Sequence, residues 1–100
     1  MNSAIPVNEI QTLIQTEQPY LIDVRDPDEF ALGTLPGAVN LPLSQLEIQI
    51  PNLPPKGIIV TFCNKGGGRS EKAANLLKKI RQAPVFYLEG GYLAWQGVEK

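Results

Sequence analysis

The stretch 57-GIIVTFCNKGGGRSEKAANLLKKIRQ-82 carries the clearest strand and helix signals of the chain. Its first part, residues 57–63, is apolar and rich in β-branched side chains, which is typical of a strand buried on both faces. From residue 69 to residue 82 apolar residues recur at helical spacing, with lysines on the opposite face, so this part predicts an amphipathic helix. A buried strand joined to a helix by a short loop is the unit from which parallel sheets are built.

The rest of the chain continues this alternation of strands and helices. Apolar segments predict further strands at residues 20–24, 37–41 and 85–91. Helices are predicted at residues 7–16 and 92–96, and the proline-rich segment 51–57 predicts a loop. Residues 44–50 are compatible with a helix or a strand, and we interpret them as a short helix. We therefore expect a single α/β domain over residues 1–100, with a parallel sheet covered by helices on both faces and ligands beyond the carboxyl ends of its strands.

Composition limits the partners and the chemistry. Nine basic and ten acidic residues give a net charge of −1, which predicts neither a nucleic-acid partner nor an anionic membrane partner. No apolar run could span a bilayer, and the N-terminus lacks the pattern of a secretory signal. One cysteine suits a reducing compartment, so we expect a cytoplasmic protein. Because the chain has no histidine, Ser-His-Asp and Cys-His catalysis are excluded within it, and the commonest zinc ligand is missing. We expect no metal and no cofactor.

The only cysteine, Cys63, ends the strongest predicted strand, where ligands bind in parallel sheets. Three glycines follow it and allow several backbone N–H groups to turn towards one point. The start of the next helix, together with Lys65 and Arg69, adds positive charge that stabilises a thiolate and lowers the thiol pKa. A partly buried cysteine beside a flexible turn is the alternative, but the glycines, cations and helix start together favour an anion-binding nucleophile.

Three segments carry a resemblance to a known family. LIDVRDPDEFALGTLPGAVNLP (21–42), FCNKGGGRSEKAA (62–74) and LEGGYLAW (88–95) are similar in order and type to the signatures and active-site loop of the rhodanese-like domain family. The resemblance covers almost the whole chain. It implies a central five-stranded parallel sheet flanked by helices on both faces.

The resemblance also implies a sulfurtransferase or sulfur carrier. Family members of this kind hold sulfane sulfur as a persulfide on the loop cysteine, taken from thiosulfate or a similar anion and passed to a thiol, cyanide or protein acceptor. Cys63 then matches the nucleophile. Lys65 matches a basic position of thiosulfate-using loops, and Arg69 matches the arginine that closes the loop. The implied substrate-binding residues are Asn64, Lys65, Gly66, Gly67, Gly68 and Arg69.

Two departures from the family pattern leave alternatives open. Gly33, Thr34 and Leu35 replace a common Gly-His-Ile run, although a thiol mechanism needs no histidine base. Five residues separate Cys63 from Arg69, one more than in the usual sulfurtransferase loop, and this is the spacing of cysteine phosphatases and arsenate reductases. Against those activities, the loop has no acidic residue and the chain has no second cysteine. A non-catalytic interaction module of the same fold is the third alternative.

A charged cluster and a glycine pair are interpreted as structural. In the cluster of Asp23, Arg25, Asp26, Asp28 and Glu29, we expect Asp23 and Arg25 to tie loops together at the end of a strand, and Asp26 or Asp28 to cap a short helix. Arg25 is also a candidate for the edge of the pocket. The pair at residues 90–91 predicts a turn between a strand and a helix.

Overall fold

The computed structural model of the chain describes residues 3–48, 53, 57–65, 68–80 and 84–99. It contains five strands and five helices that alternate along the chain. The strands are β1 (Ala4–Ile5), β2 (Tyr20–Asp23), β3 (Val39–Asn40), β4 (Ile59–Phe62) and β5 (Val85–Leu88). The helices are α1 (Val7–Glu17), α2 (Pro27–Leu32), α3 (Leu43–Ile48), α4 (Arg69–Ile80) and α5 (Gly91–Glu99).

All five strands pair in parallel in one sheet, in the order β1-β5-β4-β2-β3. This confirms the predicted fold class. The strand β1 was not predicted from the residue pattern, because two residues are too few to show any periodicity. It is held at the sheet edge because Ala4 pairs with Tyr87 and Ile5 pairs with Leu88, residues that are more than 80 positions away in the chain.

Alternate residues of the strands face two separate hydrophobic clusters, one on each face of the sheet. Along β4, Ile59 packs with α3 and α4, whereas Val60 packs with α1 and α5. The helices on the two faces are anchored by Leu77 of α4 and Trp95 of α5. Because both faces are covered, the central strands are apolar on both sides, which is why they read as continuous hydrophobic runs.

Most element boundaries differ from the sequence prediction by a few residues. The segment predicted as a strand at 37–41 forms only Val39–Asn40, since Gly37 has a positive φ of 83° and lies in a turn. The prediction that a strand extends to residue 91 is wrong, because β5 ends at Leu88 and α5 begins at Gly91. Gly66 and Gly67, residues 49–50 and 81–82, and most of the predicted loop 51–57 lie outside the described residues.

The register of β2 against β4 sets the position of the site. Asp23 pairs with Phe62, and the next residue, Val24, donates its N–H to the carbonyl of Phe62 at 3.0 Å. The two strands therefore end side by side, which brings Arg25 and Asn64 together at the carboxyl edge of the sheet. In the part of the chain that the structure describes, no helix is both long and apolar enough to cross a bilayer.

Candidate active site

Cys63 lies directly beyond the end of β4, at the start of the loop that leads to α4. It is 5% exposed, and its side chain packs in the cluster beneath α4. Its Sγ donates to Oγ of Ser70 at 3.3 Å, and Ser70 is completely buried. The carbonyl of Ser70 in turn accepts from Oγ1 of Thr61 at 2.8 Å, which ties the first turn of α4 to β4. The thiol and a buried hydroxyl are thus held in contact by two rigid elements.

Arg69, at the first position of α4, is held by a carboxylate from α2. Its Nη1 donates to Oε1 of Glu29 at 2.9 Å, and its Nη2 donates to Oε2 at 3.4 Å. The pKa of Arg69 is raised, mainly by this hydrogen bond to Glu29, with a smaller electrostatic contribution from the nearby Cys63. The pKa of Glu29 is lowered to about 2, chiefly by Arg69 and then by the backbone N–H of Asp26. Both groups are therefore charged at neutral pH, and the arginine charge lies near the thiol.

The side chain of Asn64 connects the same loop to two other elements. Its Nδ2 donates to Oε2 of Glu29 at 2.9 Å, and its Oδ1 accepts from Nη1 of Arg25 at 3.1 Å. The residue after the nucleophile is therefore fixed from both sides. This arrangement positions the loop backbone and leaves the side-chain amide of Asn64 occupied within the protein.

Arg25 and Asp23 form a buried ion pair that supports this contact. Nη2 of Arg25 lies 2.6 Å from Oδ2 of Asp23, and the two side chains are 4% and 0% exposed. The guanidinium also donates to the carbonyl of Gly33 at 2.6 Å and lies 4.5 Å from the centre of the Tyr92 ring. Asp23 accepts a further hydrogen bond from Oγ1 of Thr34 at 2.8 Å. The expectation that this pair ties loops together agrees with these contacts. Arg25 also contacts Asn64, the residue that follows the nucleophile in the chain.

The predicted site residues occupy different environments. Lys65 is exposed on the loop, and Gly68 is exposed with a positive φ of 48° just before α4. Gly66 and Gly67 lie outside the described residues. The predicted roles of all these loop residues in substrate binding stay predictions.

Sequence reasoning missed two residues of the site. Ser70 gave no signal beyond its place in the predicted helix. Glu29 was interpreted as a structural residue of the charged cluster. Its carboxylate does accept from the N–H of Asp26 at 3.0 Å, as in a helix capping box, and that local motif was readable. Its contact with Arg69 spans 40 positions of the chain and could not be read locally.

Comparisons with known proteins identify the family of the chain. The family model of the Rhodanese-like domain matches residues 6–97. The chain is 36% identical over 95 residues to a sulfurtransferase of Allochromatium vinosum, which covers 89% of this chain and 88% of that protein. It is 30% identical over 105 residues to the thiosulfate:glutathione sulfurtransferase of Homo sapiens, with 91% of this chain and 90% of that protein covered.

Solved structures show the same fold. The human single-domain sulfurtransferase TSTD1 superposes with a TM-score of 0.83 at 27% sequence identity, over 100% of both chains. Some relatives are longer, since the chain spans 60% of one protein of Bacillus subtilis and 52% of one of Synechocystis. The family match over most of the chain, the parallel five-stranded sheet and the loop cysteine beyond β4 lead to one conclusion: the chain belongs to the rhodanese-like domain family and is related to sulfurtransferases.

Proposed function

We propose that this protein is a sulfurtransferase that carries sulfane sulfur as a persulfide on Cys63. The observation that carries the proposal is the position of the chain's only thiol, at the carboxyl end of β4, against the buried hydroxyl of Ser70 and near the charge of Arg69. A hydroxyl and a cation beside a thiol stabilise its anionic form, which is the nucleophile. Sulfurtransferase relatives that match nearly the whole chain support the same activity.

The proposed reaction has two steps, each of which transfers one sulfur atom. The Cys63 thiolate attacks the outer sulfur of thiosulfate, the S–S bond of the donor breaks, and sulfite leaves with the bonding electrons. The enzyme then carries Cys–S–S⁻. An acceptor such as cyanide or a thiolate attacks the terminal sulfur, takes it away, and restores the Cys63 thiolate. No net redox partner is required, because each step exchanges one sulfur–sulfur bond for another bond to sulfur.

The residues around Cys63 have distinct roles in this proposal. Once the thiol ionises, the Ser70 hydroxyl donates to the sulfur instead of accepting from it. The N–H groups of the loop at residues 64–68 stabilise both the thiolate and the persulfide by hydrogen bonding, since both are anions. Lys65 is exposed and meets the incoming dianion, whereas Arg69 holds the loop closed through Glu29. A reducing compartment such as the cytoplasm suits a protein whose single cysteine must remain a thiol.

Intact mass spectrometry tests the persulfide directly. Incubation of the purified protein with thiosulfate should add the mass of one sulfur atom, and subsequent cyanide should remove it and release thiocyanate. Cys63→Ser is the matched control, because oxygen replaces sulfur with little change in shape and no other thiol exists in the chain. Thiocyanate production by the serine variant, or a wild-type protein that takes up no sulfur from any sulfane donor, would contradict the proposal.

A phosphatase or arsenate reductase is the second candidate, favoured by the five-residue spacing between Cys63 and Arg69. Parallel assays with thiosulfate and an artificial phosphomonoester separate the two activities. Deletion of Gly67 restores the shorter loop and should raise kcat/KM for thiosulfate if loop length limits the sulfur reaction. Fast phosphomonoester hydrolysis by the wild type, without sulfur uptake, would favour the second candidate.

A further inference from the structure

The N-terminus of α5 is hydrogen-bonded to the backbone of the active-site loop. The N–H of Tyr92 donates to the carbonyl of Cys63 at 2.7 Å, and the N–H of Leu93 donates to the carbonyl of Asn64 at 3.1 Å. The first N–H groups of a helix have no partner within the helix, so they must find one elsewhere. Here they bind the backbone carbonyls of Cys63 itself and of the next residue, Asn64. This contact links residues that lie about thirty positions apart in the chain.

Gly91 makes this close approach possible. A Cβ atom at this position would overlap the carbonyl oxygen of Cys63 and would lie 2.6 Å from the carbonyl carbon and oxygen of Asn64. Its φ of +62° is also a conformation that other residues rarely adopt. The predicted turn therefore has a second requirement beyond its backbone angle. Only a residue without a side chain lets α5 begin directly against the loop.

The two captured carbonyls determine where the following N–H groups point. In a trans peptide the C=O and N–H bonds point in opposite directions, and the described residues contain no cis peptide bond. The carbonyls of Cys63 and Asn64 point towards α5, so the N–H groups of Asn64 and Lys65 point away from it. The helix α5 packs through Trp95 on one face of the sheet, whereas the Cys63 side chain packs on the other face, beneath α4. The Cys63 side chain and the body of α5 therefore lie on opposite faces of the sheet.

We infer that Gly91 is a positioning residue, through which the N-terminus of α5 aims the N–H groups of Asn64 and Lys65 at the sulfur of Cys63. The inference rests on the proposed function for its catalytic meaning. Its physical content is independent of any substrate: the two N–H groups stabilise negative charge on that sulfur. Donors held in advance by the surrounding structure are effective because they need no reorganisation when charge develops.

Substitution of Gly91 tests the inference, with two matched controls. Gly91→Ala should push the loop carbonyls aside, raise the pH midpoint of Cys63 alkylation by iodoacetamide by about one unit, and lower kcat/KM for thiosulfate on the order of tenfold to a hundredfold. Gly37→Ala has a similarly positive φ of +83° but open space around it, so it controls for backbone strain. Gly97→Ala lies in α5 with nothing within 4 Å and controls for the helix. Both controls should alkylate as the wild type does.

The alkylation midpoint can be read without any sulfur donor, because Cys63 is the only thiol. An unchanged midpoint in a folded Gly91→Ala protein would overturn the inference, and the same shift in Gly37→Ala would assign the effect to strain alone. If wild-type protein takes up no sulfur but the midpoint still shifts in Gly91→Ala, the inference holds and the proposed function fails.

A measurement on the wild-type protein covers the case in which Gly91→Ala does not fold. In amide NMR spectra, the proton signals of Asn64 and Lys65 should move as the thiol ionises, with the midpoint found by alkylation. Cys63→Ser should abolish that titration. Signals of Asn64 and Lys65 that move no more than those of exposed residues on α3 would overturn the inference.

Discussion

Arg69 of the active-site loop donates to Glu29 of α2 at 2.9 Å, so the loop is closed by a carboxylate from a different element. The two side chains are 37% and 29% exposed, and a pair with this exposure contributes only about 1 kcal/mol or less to stability. Its importance is geometric. Glu29 also accepts from Asn64, so a single carboxylate holds residues at both ends of the loop.

Glu29→Gln should loosen the loop while the fold is retained. Glutamine has the same shape but cannot offer two acceptor oxygens to Arg69 and Asn64. We expect kcat/KM for thiosulfate to fall on the order of tenfold, because small displacements of catalytic groups are costly. Glu71→Gln, on the exposed side of α4, is the control and should be neutral. Equal activities of the two variants would contradict this role of Glu29.

The same carboxylate should contribute to the pH dependence of stability. Its pKa is lowered from 4.5 to about 2 in the folded protein, mainly by Arg69, so the folded state favours the ionised form. The contribution is therefore fully present above about pH 4.5 and is lost as the pH falls towards 2. Urea unfolding of the wild type and Glu29→Gln should show a difference at pH 6 that shrinks progressively between these limits. A difference independent of pH would contradict the assignment.

Ser70→Ala should slow the reaction with little effect on substrate binding. The variant removes the hydroxyl that lies 3.3 Å from Sγ of Cys63, and a hydrogen bond to a charged group is worth about 1.5–3 kcal/mol. We therefore expect kcat to fall on the order of tenfold to a hundredfold, with a smaller change in KM. Ser44→Ala, at an exposed position of α3, is the control. A kcat equal to that of the control would show that the hydroxyl does not act on the sulfur.

Lys65→Ala should mainly weaken binding of the donor. Lys65 is exposed, lies two residues after the nucleophile in the chain, and carries a positive charge that attracts an approaching dianion. Loss of an interaction made equally with substrate and transition state raises KM more than it lowers kcat. Steady-state kinetics with thiosulfate measure both constants, and Lys78→Ala, an exposed lysine in the last turn of α4, is the control. An unchanged KM would show that Lys65 does not meet the donor.

Arg25→Ala should be the most destabilising of these substitutions. It leaves the completely buried carboxylate of Asp23 without its charged partner, and breaking a buried ion pair in this way costs about 3–5 kcal/mol. Arg25→Lys keeps the charge but loses the paired contacts to Asp23. Its free energy of unfolding should therefore lie between those of the wild type and of Arg25→Ala. Urea unfolding gives the free energies, and a loss of less than about 1 kcal/mol for Arg25→Ala would contradict the structural role of this pair.

The fold was predictable where its signals are local. The strand β4 and the helix α4 follow from apolar runs and helical spacing between residues 57 and 82, and their order predicted a parallel sheet. The strand β1 escaped prediction because two residues carry no pattern and its pairing with β5 is a distant contact. The start of α5 at Gly91 was placed too late, because a glycine signals a turn equally well whether or not a helix begins on it.

The amino-acid order alone establishes that the protein has one thiol, that this thiol follows the strongest predicted strand, and that glycines and cations come directly after it in the chain. These features depend only on residues that are adjacent in the chain, so they do not change with the way in which the rest of the chain folds. Two contacts of the site depend on the tertiary structure: Glu29 accepts from Arg69, and the N-terminus of α5 binds the carbonyls of Cys63 and Asn64. Such contacts join residues that are far apart in the chain, and their distances are set by the register of β2 against β4 and by helix packing, which no local pattern encodes.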